Sequence, residues 1–178
     1  MKKLLLLLIF LLSGCLPGTP NYIDNKQSSF DGSDELLMES GYVYNSHSSF
    51  SIWDIRLGLS WNSRQQEDIF IIAEVPGEIV NIRSNDGLMF NIDGKIFTLS
   101  ALEELTDFDS SSDFGHNYRQ SKKAFPCKID FIRKLVEAKT AKVKLITGEG
   151  SLEGDFSVDR PGAAIRGFKD FLEKIPQG

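Results

Sequence analysis

The sequence predicts an α+β fold, a mainly antiparallel β-sheet built as a meander and hairpins, with two amphipathic helices in the C-terminal third. Three observations point there. Apolar residues alternate with polar ones along much of the stretch from Phe50 to Leu99, and the turn signals Pro76-Gly77, Asn85-Asp86-Gly87 and Asp93-Gly94 interrupt them. A helical period appears only beyond residue 128. A further strand pair then separates the two helical stripes, and strands followed by helix, hairpin and helix favour segregated α+β layers over alternating βαβ units.

Taken in order, residues 16 to about 40 begin Pro17-Gly18-Thr19-Pro20 and continue in Asn, Asp, Ser, Gln and Gly, which predicts a flexible tether. Asp34 to Met38 could form a short helical turn where it docks. From Phe50, Trp53, Ile55, Leu57, Leu59 and Trp61 share one face against Asp54, Arg56, Gly58 and Ser60, as in a half-buried strand. Asp68 to Val75 is a more fully apolar strand stopped by Pro76-Gly77. A meander follows, Ile79–Arg83, Leu88–Ile92 and Lys95–Leu99, and the Asp-Gly turns suit it because a type I′ turn needs positive φ at both central residues. Ser100 to about Ser121 reads as a polar loop with one brief helical stretch at Ala101–Leu105. Lys128 to Lys139 sets Ile129, Ile132, Leu135 and Val136 on one helical face. Ala141–Thr147 and Ser151–Ser157 predict a hairpin around Gly148-Glu149-Gly150. Asp159-Arg160-Pro161 then offers a capping carboxylate and a first-turn proline to a helix with the stripe Ile165, Phe168, Phe171, Leu172 and Ile175, ended by Pro176. There is no internal repeat.

The first residues carry an address. Lys2-Lys3 form a basic start, Leu4 to Leu12 an apolar run well short of a bilayer span, and Leu12-Ser13-Gly14-Cys15 resembles the lipobox of bacterial lipoprotein signal peptides. The resemblance implies cleavage before Cys15, a diacylglycerol thioether on its sulfur and usually an N-acyl chain, palmitate among them. No other cofactor is expected. The chain then divides into a signal peptide, 1–14, a lipidated N-terminus and tether, 15–40, and a single globular domain, 41–178. Leu16 stands where an aspartate resembles an inner-membrane retention signal, so the expected place is the cell envelope, lipid-anchored at the outer rather than the inner membrane where two membranes are present. The C-terminal unit, Val143–Phe156 with the last helix, is similar to bacterial envelope proteins, a resemblance that implies no activity and no site residue.

Charge and cysteines narrow the function classes. The formal net charge is −5, and loss of Lys2 and Lys3 with the leader makes the remainder more acidic, which opposes nucleic-acid or anionic-lipid binding by charge. Lys122, Lys123 and Lys128, and the run Arg133, Lys134, Lys139, Lys142, Lys144, are interleaved with acids and read as solvated faces. With Cys15 acylated, Cys127 is left as a free thiol that reads as a small buried hydrophobe.

No concentrated catalytic signature is present. There is no Gly-x-Ser-x-Gly elbow, no zinc spacing among two cysteines and two distant histidines, and no glycine-rich phosphate cradle. His47 and His116 are the two candidate histidine bases, and Trp53 and Trp61 could stack on sugars but share the apolar strand face. The candidate binding residues are Asp107, Asp109, Asp113, His116 and Tyr118 in the polar stretch Thr106–Ser121. Their start resembles a calcium loop, yet its sixth position is Ser112 and its twelfth Tyr118, where the EF-hand has glycine and glutamate, so a metal site is not expected. The sequence thus points to a noncatalytic, lipid-anchored envelope accessory or binding protein with a possible envelope protein partner. A small periplasmic hydrolase of cell-wall or sugar substrates, or an inhibitor-type lipoprotein using an exposed loop, are the alternatives.

Overall fold

Strands that alternate in burial assemble here into two antiparallel sheets. The computed structural model describes residues 22–44, 55–113, 116–156 and 162–176, and for 111–113 and 116–118 the backbone alone. The larger sheet contains β1 (Ile23–Gln27), β2 (Asp34–Tyr42), β3 (Arg56–Asn62), β4 (Asp68–Pro76), β7 (Asp107–Asp113) and β8 (His116–Lys128), in the order β1-β2-β3-β4-β8-β7. The smaller contains β5 (Leu88–Ile92), β6 (Lys95–Leu99), β9 (Ala141–Thr147) and β10 (Gly150–Asp155), in the order β10-β9-β5-β6. Helices α1 (Ile129–Glu137) and α2 (Ala163–Lys174) complete the expected α+β architecture. Both sheets and both helices feed one continuous hydrophobic core.

The alternation decides which face is buried. Leu57, Leu59 and Trp61 of β3 and Ile69, Ile71, Ala73 and Val75 of β4 enter the core, so Trp61 is a packing residue, and Trp53 lies outside the described residues. β4, the more fully apolar run, has one buried and one half-exposed face. Gly58 is required where β2 bulges between Met38 and Gly41: a Cβ there would lie 2.7 Å from the Met38 carbonyl oxygen. Asp93 and Gly94, with φ of 49° and 87°, form the I′ turn expected between β5 and β6.

Four expectations are corrected. The tether does not run to residue 40: Ile23 to Tyr42 form β1 and β2, with Leu36 and Met38 in the core, and Asp34–Met38 is strand rather than helix. Polar β1 is an edge strand with little to bury, and the acids between the apolar residues of β2 face outward, so composition imitated a linker. Ile79–Arg83 is not the first arm of a meander. It crosses between the sheets, Val80 N–H donating to Ser121 Oγ at 2.8 Å and Ile82 N–H to Thr106 Oγ1 at 2.9 Å, and β9 takes the place beside β5. The polar stretch after Thr106 is no loop but the β7–β8 hairpin, discussed below. Finally, the N-cap of α2 is Gly162, with no side-chain cap; Asp159 to Pro161 lie outside the described residues.

Aromatic packing ties the helices in. Phe168 of α2 meets Phe156 edge-on at 5.1 Å, Phe156 meets Phe90 at 6.2 Å, and Phe131 of α1 meets Phe90 at 5.5 Å. The sheets are also joined directly, Asp155 N–H donating to the Tyr44 carbonyl at 2.7 Å.

Candidate functional site

Residues of β2, β3, β4 and β8 that do not enter the core form the outer face of the six-stranded sheet. Register places them in rows. One row is Leu37, Ser60, Phe70 and Pro126; the next is Gly58, Ile72 and Ala124. A charged row follows, Tyr42, Arg56, Glu74, Lys122 and Asp107, one residue from each of five strands. Cations and anions alternate along it. Lys122 Nζ lies 3.6 Å from Glu74 and 4.0 Å from Asp109, and Arg56 stacks on the Tyr42 ring at 4.1 Å while donating to its hydroxyl. The Arg56 Nε is buried without a hydrogen-bond partner among the described residues.

Two clefts share Ile72 and Lys122. One, of about 400 Å³, is lined by Leu37, Glu39, Arg56, Glu74 and Gln120 beside them; the other, of about 330 Å³, lies between Phe70, Ile72 and Ala124 and the exposed Leu102 and Leu105. Leu102 and Leu105 are 75% and 83% exposed, unusual for large aliphatic side chains on a segment so firmly held. The hold comes from Lys123. This lysine is only 4% exposed, and its ammonium donates to the Ile82 carbonyl at 2.8 Å, Ser84 Oγ at 2.8 Å and the Glu104 carbonyl at 2.9 Å. Burial pulls its pKa down, and the nearby Glu103 and Glu104 partly restore it. Three donors thus meet three acceptors, none of them a carboxylate. Ser84 Oγ adds a bond to the Glu104 carbonyl, and Thr106 Oγ1 donates to Asn81 Oδ1 at 2.9 Å.

Of the expected site residues, Asp107 and Asp109 stand exposed on β7, two residues apart on the face shared with Lys122 and Gln120; Gln120 Nε2 donates to Asp109 at 3.1 Å. Asp113 pairs in register with His116, and Ser111 with Tyr118, so the hairpin spreads these five positions along its length rather than gathering them in a loop. Among the described residues no three His, Cys, Asp or Glu side chains converge as metal ligands would. His47 and Cys15 lie outside the described residues. Cys127, at the end of β8, has its thiol pushed up to about 12, by burial first and by the Asp68 carboxylate second, so it is protonated at neutral pH and no nucleophile.

Sequence reasoning missed the two leucines, and its reading of Lys123 as part of a solvated face is corrected: Lys123 is buried. The alternation Ser121, Lys123, Phe125 does place Lys123 on the inward face of β8, a signal obscured by the adjacent Lys122. A further cleft of about 560 Å³ lies where α1 begins, but its charges are mutually paired, Lys128 with Asp68 at 2.8 Å and Arg133 with Asp130 at 2.9 Å. Comparison with family models, curated proteins and solved structures finds no match to this chain.

Proposed function

We propose that this chain is a noncatalytic, lipid-anchored binding protein of the cell envelope, attached through acylated Cys15 and engaging an envelope protein with the outer face of its six-stranded sheet. The observation that carries the binding reading is the pair Leu102 and Leu105, held out beside the Phe70–Ile72–Ala124 strip by the buried Lys123. Burying each leucine would contribute about 1.5–3 kcal/mol, which makes that strip the natural centre of an interface. The alternating row Arg56, Glu74, Lys122 and Asp107 along one side fixes register and rejects partners with the wrong charge pattern. Asp107 and Asp109 belong to its rim. Anchoring by acyl chains suits a chain whose described helices include none long and apolar enough to cross a membrane. Leu16 after the lipobox favours the outer membrane over the inner where two membranes are present.

A photo-crosslinking residue at Leu105, introduced in the full chain in intact cells, tests this. The expected result is one discrete adduct, absent when the same residue replaces Ile96 on the other sheet and lost when Phe70→Asp is added. Equal adducts from both positions, or none from Leu105, would overturn the surface.

A further inference from the structure

The turn joining β1 to β2 carries Phe30, which is 99% exposed, at the tip of a hairpin that is anything but loose. Ser28 N–H donates to the Ser33 carbonyl at 2.8 Å, and Gly32 N–H donates back to the Ser28 carbonyl at 2.9 Å. Gln27 Nε2 donates to the Gly32 carbonyl at 3.2 Å. Asp31 accepts from both the N–H and the hydroxyl of Ser33, at 2.9 and 2.7 Å, and pairs with Arg64 of the short 3₁₀ turn after β3. Gly32 supplies the positive φ, 70°, that the turn requires. Six residues are thus pinned to one another around a phenylalanine whose ring stands in solvent, and Tyr22, 61% exposed, stands at the other end of β1.

The length of chain leading to this edge says what lies opposite. Only residues 16–22 separate the lipobox cysteine from β1. Fully extended, seven residues reach about 25 Å, and as a flexible chain they average about 15 Å. A folded unit of this size is about 40 Å across, so a chain that short cannot pass around it to the far side. The β1 edge of the sheet is therefore held within about 25 Å of the lipid surface. The tip at Phe30 lies about 17 Å along β1 from Ile23, within the same reach.

We infer that the β1–β2 hairpin rests on the membrane that holds the lipid anchor, with Phe30 and Tyr22 as interfacial aromatic contacts. The inference rests on the anchoring through Cys15 proposed above. Aromatic rings settle at the boundary between headgroups and acyl chains, and the pinned turn presents the ring with little ordering left to do on contact. Lys26 pairs with Asp24 at 2.5 Å and Arg64 with Asp31, while Asp34 and Glu35 leave the hairpin net acidic, so the contact depends on the rings rather than on anionic lipid. The hairpin converts a single tether into a two-point attachment and fixes which way the remaining surface faces.

The test uses the full-length acylated protein in phosphatidylcholine vesicles with and without brominated acyl chains. Phe30→Trp and, as a control on the other sheet, Ile96→Trp are each compared with wild type, whose own tryptophans are subtracted. Both sites are exposed, so neither variant threatens folding. Tryptophan at 30 is expected to shift its emission to the blue by about 10 nm and to lose half or more of its intensity to bromine, while tryptophan at 96 stays as in water. Intact mass of the wild-type and Cys15→Ser chains separates the two ways of failing. A wild type without acyl mass overturns the anchor, and this inference with it. Acyl mass present with a water-like, unquenched residue 30 overturns the hairpin contact alone.

Discussion

Lys123→Met keeps the length and the apolar stem of the side chain and removes only the ammonium, which makes it the sharpest probe of how the 101–106 segment is held. Three charge-assisted hydrogen bonds are lost, to the Ile82 and Glu104 carbonyls and to Ser84 Oγ. Bonds of that kind are worth about 1.5–3 kcal/mol each, or roughly 4–9 kcal/mol together, but burying the ammonium without a carboxylate costs several kcal/mol of that sum. The acceptors are also not wholly abandoned: Ser84 Oγ still donates to the Glu104 carbonyl, and the Thr106 hydroxyl, which donates to Asn81 Oδ1, lies 3.2 Å from the Ile82 carbonyl and can turn its one proton to it. The expected net loss is about 2 kcal/mol, or some 4–8 °C in melting temperature for a domain of this size. Urea unfolding should show it as a lower midpoint at unchanged slope.

The pH dependence supplies the sign. Burial places the folded pKa of Lys123 below its ordinary 10.5. Between the folded and unfolded values the unfolded chain binds more protons, so this group's contribution grows more favourable as pH rises through that window, and is constant below the folded value. Wild type should therefore gain on Lys123→Met as pH rises from the lowered folded pKa of Lys123 toward about 10.5. A difference that shrinks over that range, or a variant as stable as wild type at pH 7, would refute the view that a buried, carboxylate-free ammonium ties this segment down.

Met38→Ala should cost about 2–5 kcal/mol, because the side chain is 1% exposed in the core; a value within about 0.5 kcal/mol of zero by urea titration would restore residues 34–40 to a tether. Gly58→Ala should destabilise by about 1–3 kcal/mol, since its Cβ would meet the Met38 backbone oxygen at 2.7 Å, and the amide resonances of Met38 to Gly41 should shift with it. Cys127, its thiol raised to about 12, should react with iodoacetamide at pH 8 far more slowly in the native protein than in urea, where labelling is prompt; equal rates would show that the thiol is not shielded.

What the sequence made legible follows from where each segment stands. The I′ turn at Asp93-Gly94, the β3 alternation and both helical stripes were readable because one face of each element is buried and the period prints it. Edge strands leave no such print. β1 buries almost nothing, and β7 spells Asp-Phe-Asp-Ser-Ser-Ser-Asp, a composition that signals a loop although its backbone pairs with β8 along the whole strand. The alternation of Asp107, Phe108 and Asp109 was the available hint. Pairing of β5 with β9, across about fifty residues of chain, depends on tertiary context that no local pattern contains. The candidate site divides the same way: Asp107 and Asp109 were visible as acids, whereas Lys123 and the two leucines acquire meaning only when Ile82, Ser84 and Glu104 are brought to one ammonium.

The order of the six-stranded sheet connects the two proposed surfaces. β1 and β7 are its opposite edges, five strand spacings or about 24 Å apart before the twist is counted. A membrane contact at β1 and Phe30 would turn β7, Leu102 and Leu105 away from the lipid, toward whatever occupies the space above it. Both edges also meet the standing difficulty of any open sheet, unpaired backbone that invites association. The β1 edge is short and polar and, on this view, lies along the bilayer; the β7 edge carries aspartates at 107, 109 and 113, which repel a second copy of the same strand. That charge leaves the neighbouring leucines open to a different protein while discouraging self-association. A lipid-tethered binding module needs both properties when it is concentrated on a surface with its own kind.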